Sequence, residues 1–311
     1  MRPRAAAALL ALAVGALAGC GLGPGSERSG GGAALRVTRD FGRELLSSVE
    51  VEKVREGQTV MRLLRSRNEV ETRFGGGFVR AIDGLAGEGA GGTRDWFYWV
   101  NGLEADRSAA EYELTPGDVV QWDHRDWRET MTVRAIVGAF PEPFLHGLEG
   151  KRFPVRVECE DAESDACRRV KDTLRDAGVP ATGASLGAAG TQNVIRVLVA
   201  TWARARELPS ARAIEQGPRT SGVFARYIDG GRDLELLDEG GERARGGGPD
   251  TGLVAALRPA DKELLWLVTG GDQAGVDNAA AALDTRSLRD AFAVAVPPGG
   301  RPVKLPVEAG P

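Results

Sequence analysis

The chain has 311 residues, 42% of them hydrophobic and 27% charged, with a formal net charge of −4. That length suits two domains of roughly 100–200 residues each, and the apolar fraction is enough for packed cores. The slight acidity argues against the basic face of a nucleic-acid binder, and three cysteines with two histidines leave little for a structural zinc site, which takes about four ligands.

At the N-terminus Arg2 and Arg4 precede an apolar run from Ala5 to Leu17, followed by Leu17-Ala18-Gly19-Cys20. A charged start, a short apolar stretch and a small-residue cleavage site form the layout of a secretory signal, shorter than the ~20 apolar residues of a spanning helix. The Leu-Ala-Gly-Cys ending resembles the lipobox of bacterial lipoproteins. The resemblance implies cleavage before Cys20, a lipid on its thiol, and an extracytoplasmic chain anchored to the bacterial membrane. Residues 1–19 then form the signal peptide, and 20–33 the lipidated cysteine with a flexible Gly- and Ser-containing tether.

The first domain is placed at 34–138. Strands are expected at Ala34–Asp40 and Leu46–Val54. Thr59 is positioned to cap a helix whose apolar face is Val60, Leu63 and Leu64. After a Gly-rich loop, Trp96-Phe97-Tyr98-Trp99-Val100 reads as a strand. Asn101-Gly102 tolerates positive φ at both positions and predicts a type I′ hairpin into Leu103. Thr115-Pro116-Gly117-Asp118 is a turn, and Val119–His124 the next strand.

A helix, then Gly77–Gly84, then Trp-x-Tyr-Trp-Val-Asn-Gly, a Tyr at 112 and Gly-Asp-Val-x-x-Trp ending at Trp122 occur in an order that resembles the β-grasp family similar to the C-terminal domain of transcobalamin. The resemblance covers about a third of the chain. It implies an α+β β-grasp fold and a corrinoid as the ligand to consider, with no cofactor required. Along the aromatic strand, Trp96 and Tyr98 share one face and Phe97 and Trp99 the other. The Trp96 set is expected to meet the helix. The other set needs cover from a loop, the second domain, a ligand or a partner; aromatic stripes are usually buried by packing. Phe97, Trp99 and Trp122 are the candidates for a ligand or interaction surface.

Residues 139–150, with Pro141 and Pro143, are the expected interdomain linker, and Phe140, Phe144 and Leu145 make it too apolar to hang free, so it is expected to pack between the domains. An α/β sheet domain is placed at 151–297, with strands near Phe153–Cys159, Val194–Ala200, Gly222–Ile228, Leu234–Leu237, Gly252–Leu257, Leu264–Val268 and Phe292–Val296. Helices are expected at Asp161–Ala177 and Asp272–Leu283, and 298–311 as a tail. Cys159 and Cys167 are read as a disulfide clamping helix to sheet, since paired cysteines in an exported chain usually bridge; two buried thiols or a metal pair are the alternatives. Gly270–Gly275 lies where phosphate loops occur but lacks their Lys-Ser/Thr, and reads as a helix cap. No Gly-x-Ser-x-Gly elbow is present.

The resulting expectation is a non-catalytic, lipid-anchored extracytoplasmic protein that binds a small-molecule ligand or a cell-envelope protein. A structural envelope module and an enzyme with an interdomain site are the alternatives. A pocket lined by Phe97, Trp99 or Trp122 marks the binder, a flat apolar patch the interaction module, and ionisable groups converging in a cleft the enzyme.

Overall fold

The computed structural model describes residues 26–308; the signal segment and Cys20 lie outside them. The first domain opens with the antiparallel hairpin β1 (Ala33–Arg39) and β2 (Glu44–Val51). Helix α1 (Val60–Arg65) follows, with the Thr59 hydroxyl accepting from Arg62 N, and it buries Val60, Met61, Leu63 and Leu64. Three short strands, β3 (Val70–Arg73), β4 (Phe78–Ile82) and β5 (Leu85–Ala86), form a small separate sheet. The aromatic strand is β6 (Arg94–Val100), and β7 (Leu103–Glu104) and β8 (Val119–Asp126) complete the main sheet in the order β2-β1-β8-β6-β7. β1 and β8 run parallel. Parallel first and last strands side by side, with a helix after the opening hairpin, give the β-grasp arrangement.

The turn between β6 and β7 has φ of 53° at Asn101 and 77° at Gly102, the conformation Asn-Gly favours. Asn101 is fully buried and also ties the turn down. Its Nδ2 donates to Asp118 Oδ1 (2.9 Å) and Gly147 O (2.7 Å), and its Oδ1 accepts from Val119 N (2.8 Å).

The second domain contains β9 (Val155–Cys159), α2 (Asp165–Asp176), β10 (Ala181–Ser185) and β11 (Val194–Thr201). Short helices α3 (Trp202–Ala205), α4 (Pro209–Arg212) and α5 (Pro218–Ser221) come next, then a three-stranded sheet of β12 (Ala225–Ile228), β13 (Asp233–Leu237) and β14 (Arg243–Gly247). The chain continues through β15 (Gly252–Ala260), β16 (Glu263–Gly270), α6 (Gln273–Ala281), α7 (Thr285–Leu288), β17 (Ala293–Val296) and β18 (Val303–Leu305). The main sheet has seven strands in the order β10-β9-β11-β16-β15-β17-β18. β10, β9, β11 and β16 are parallel, and pairing turns antiparallel at β15. Cys159 and Cys167 form a disulfide, with Cα atoms 6.0 Å apart, joining the end of β9 to the first turn of α2.

Alternation along the central strands gives this sheet two apolar faces. Val197, Val199, Val254, Trp266 and Val268 pack against α2 and α6. Leu198, Leu253, Ala255, Leu265 and Leu267 pack with Trp202, Ile214, Phe224 and Leu234, and this second cluster also takes in Phe41, Trp99 and Ile136 of the preceding segments. The two domains therefore share a core.

Two expectations change, those for the tether and the tail. The described part of the tether is not free: Arg28 N donates to Val54 O (2.8 Å) and Gly117 N to Gly32 O (2.7 Å), so residues 26–32 run along the first domain. As its apolar residues imply, the linker packs between the domains, with Phe144 4.8 Å from the Trp266 ring. The tail contributes β18, and Lys304 Nζ donates to Gly42 O in the first domain (2.6 Å).

Candidate ligand-binding groove

The three candidate aromatic residues do not form one platform. Trp99 has no exposed surface; its Nε1 donates to Val133 O (2.7 Å) and its ring meets Phe292 edge-on at 4.9 Å. The face assigned to a ligand is, at Trp99, covered by the second domain. The reason is geometric: Phe292 sits just before β17 and closes over the β6 face that α1 leaves bare. Trp122 is also buried, but on the opposite face, stacked on Tyr98 at 4.8 Å within the α1 core. Phe97 is half-buried beneath the Arg125 guanidinium, 4.0 Å from its ring centre.

Arg125 was not singled out in the sequence, where it is one arginine among many. It is fully buried, donating to Thr130 O (2.8 Å) and Met131 O (2.6 Å), and burial pulls its pKa down to about 10. A guanidinium that caps an aromatic ring and bonds two carbonyls fixes the loop after β8 onto β6.

Phe97 and Trp122 do meet a common space. A groove of about 430 Å³ lies between β4 and the loop after β7, lined by Phe78, Trp96, Phe97, Tyr98, Trp122 and residues 104–109. Tyr98 OH donates to Arg107 O (2.6 Å), which holds that loop as one wall. Burial raises the Tyr98 pKa, so the phenol stays a donor. Trp122 Nε1 is buried without a hydrogen-bond partner, a condition that costs free energy unless something else accepts from it. At one end Glu104 has its carboxyl pKa raised by burial, against the opposing pull of Arg125.

A larger cleft of about 680 Å³ opens between the domains and is lined almost wholly by charged side chains. Arg94 contacts Asp40 (2.6 Å) and Glu239 (3.0 Å), Arg219 contacts Glu129 (3.1 Å), Arg128 contacts Asp126 (2.9 Å) and Arg43 lies 3.7 Å from Glu308. Each guanidinium lining the cleft is thus paired with a carboxylate, an arrangement that fastens segments together.

The two histidines are structural in their surroundings. His124 is buried beside Trp96, with its pKa lowered by burial, and His146 Nδ1 lies 2.6 Å from Glu142 Oε1. Among the described residues no group of three or more His, Cys, Asp or Glu side chains could hold a metal. The Gly270-Gly271-Asp272 segment is a helix start: Asp272 Oδ1 accepts from Gly275 N (2.9 Å).

No curated protein matches the chain. A solved structure from Ruminococcus gnavus, whose metal-binding label is itself provisional, is 14% identical with a TM-score of 0.25, over 31% of this chain and 97% of its own. Residues 57–125 match DUF4430, a domain of unknown function that is transcobalamin-like, and this stretch contains the whole lining of the groove.

Proposed function

We propose that the chain is a non-catalytic, lipid-anchored extracytoplasmic binding protein whose first domain takes its ligand in the aromatic groove. The observation that carries this reading is the groove itself: five aromatic residues around 430 Å³, with the Trp122 indole N–H left without a partner. Apolar walls with a few placed polar groups are what small-molecule sites have in common. The transcobalamin-like character of the DUF4430 match makes a corrinoid one compound to test. The anchor rests on the Arg2–Cys20 sequence alone, and Cys20→Ser is expected to abolish lipid labelling and membrane retention.

The test of the site is a thermal-shift screen of the full chain against corrinoids and other small molecules, paired with Phe78→Ser. Phe78 is 40% exposed on the groove wall, so its loss leaves the core intact. A ligand at about 100 times its Kd stabilises the folded state by about 2.7 kcal/mol. Phe78→Ser should remove most of that gain. Stabilisation unaffected by Phe78→Ser would place the ligand elsewhere. One observation favours a polypeptide as the occupant: Phe74, 86% exposed, stands 6.2 Å from Phe78 and extends the aromatic surface beyond the groove.

A further inference from the structure

Ser26 is the first described residue, and its carbonyl accepts from Glu56 N (2.9 Å). It stands six residues after Cys20, a span of about 22 Å at full extension. With Cys20 lipidated, as the reading above has it, the corner of the first domain around Ser26 is held close to the bilayer.

A stripe of arginines starts at that corner. Glu56 leads into Gly57, whose carbonyl accepts from Arg62 Nη1 (2.6 Å). Arg62 and Arg65 are exposed neighbours on α1, while Val60, Met61, Leu63 and Leu64 face the core. Arg65 Nη2 donates to Thr72 Oγ1 in β3 (3.4 Å), and Arg73 and Phe74 follow directly. Arg62, Arg65, Arg67 and Arg73 are all exposed, and none is in an ion pair with a carboxylate among the described residues. Their neighbours Arg55 and Arg80 are paired, with Glu27 (3.9 Å) and Glu71. The exposed carboxylates beside the stripe are Glu56, Glu69 and the already bonded Glu71. The stripe is therefore positive on a chain whose net charge is −4.

Phe74 ends the stripe. Its ring is 86% exposed, and it lies outside the lining of the groove. A Cβ on Gly75 or Gly76 would meet nothing within 4 Å, so this turn stands clear of the fold. An aromatic ring set out beside unpaired guanidiniums suits a lipid surface: the ring enters the boundary between headgroups and acyl chains, and the guanidiniums meet lipid phosphates. The short span from Cys20 selects that occupant, because it brings the near end of the stripe to the bilayer. We propose that Arg62, Arg65, Arg67, Arg73 and Phe74 form a membrane-docking face that lays the first domain on an anionic bilayer. This rests on the lipid anchor of the reading above and goes beyond it by naming the side of the chain that meets lipid. Phe78, 6.2 Å from Phe74, then brings the groove wall beside the same surface.

The test uses the lipidated full chain in phosphatidylcholine vesicles with or without phosphatidylglycerol, with nitroxide-labelled lipid as quencher. The lipid and the Cys159–Cys167 disulfide occupy all three cysteines. Phe74→Cys therefore supplies one thiol for a fluorophore, which stands in for the ring. Asp172→Cys, at an exposed position of α2, is the control, since the second domain lies across the β-grasp sheet from α1. With phosphatidylglycerol present, position 74 should be quenched and position 172 should not. Each arginine near an anionic surface contributes about fivefold, so Arg62→Gln, Arg65→Gln and Arg73→Gln together should lower the docked fraction by about a hundredfold and abolish the quenching. Salt at about 1 M, where the Debye length is about 3 Å, should do the same. Equal quenching at both positions would overturn the proposal, as would quenching at 74 that survives the triple substitution. An unquenched position 74 on a chain that floats with the vesicles would overturn the docking face alone and leave Phe74 to the polypeptide occupant above. A chain that carries no lipid and does not float would remove the anchor and the docking face together.

Discussion

Trp99 sits among aromatic rings contributed from far along the chain, with its indole nitrogen bonded and no surface left to water. Trp99→Ala is expected to cost about 3–5 kcal/mol, the range for losing a large buried aromatic, and about as much as Trp96→Ala; urea unfolding of the full chain measures both. A cost below half that of Trp96→Ala would mean the second domain covers it loosely. Asp123 offers a second measurement. Its carboxyl is wholly buried, and burial pushes it up to about 6 despite donors from Thr38, Gly42 and Phe41. Thr38 Oγ1 lies 2.8 Å from Trp122 O and 2.6 Å from Asp123 Oδ2, so its single proton serves one of them, and a protonated Asp123 supplies the other bond. With a folded pKa above the ordinary carboxylate value of about 3.9, the folded chain holds a proton the unfolded one releases. The stabilisation is complete below about pH 4 and is lost as pH rises through about 6. Asp123→Asn should flatten that part of the pH profile of urea midpoints; an unchanged slope would assign it to another group. At this scale, alternation alone separated Trp96 and Tyr98 from Phe97 and Trp99. The cover over Trp99 was not legible, because Phe292 gives no local sign of which strand it will meet, and neither Trp122's opposite face nor Arg125's burial follows from period two.

Among the elements, α6 shows why a glycine run need not mean a ligand. A Cβ on Gly270 would lie 2.4 Å from the Gly275 carbonyl carbon, and one on Gly252 would lie 2.4 Å from Ala279 N. The helix crosses β15 and β16 with backbones almost touching, and Asp272 caps its start. Gly270→Ala is therefore expected to destabilise by about 1–3 kcal/mol, the usual cost of overpacking, with the shift in urea midpoint as the measure. A neutral result would show that α6 can lift off the sheet. The cap, the α1 stripe and the Asn-Gly turn were readable because each is set by residues within a few positions. The strands β10 (Ala181–Ser185) and β14 (Arg243–Gly247) were not, since Ala-Thr-Gly-Ala-Ser and Arg-Ala-Arg-Gly-Gly carry no apolar alternation and are held by pairing to β9 and β13.

Across the whole molecule, charge and core act together at the domain boundary. Arg36 Nη2 lies 2.6 Å from Asp290 Oδ2, Gln121 Nε2 donates to Asp290 O (2.9 Å), and Arg94 reaches Glu239. Phe41 meets both Phe224 (4.8 Å) and Phe292 (5.2 Å). A shared apolar core of this kind should make the domains unfold together. Calorimetry of the full chain is expected to show one transition, lowered as a unit by Asp290→Ala. Two resolved peaks, only one of which moves, would show that the boundary is weaker than its contacts imply. The reading of the sequence divided the chain into two domains. Their fusion was hidden because Phe41, Trp99, Phe224 and Phe292 come from four separate segments.

The burial of Trp99 also bears on how far the DUF4430 stretch can travel between proteins. Residues 57–125 hold the groove, yet they end before any residue that covers Trp99 from the second domain. A relative that uses the same β-grasp unit without such a neighbour would leave an indole in water at that position. Evolution of a free-standing version should replace it, and the ring at Phe41, with small or polar side chains. The residue at position 99 then becomes a diagnostic of architecture: a large aromatic there marks a unit that came as half of a pair, and a polar one marks a portable module.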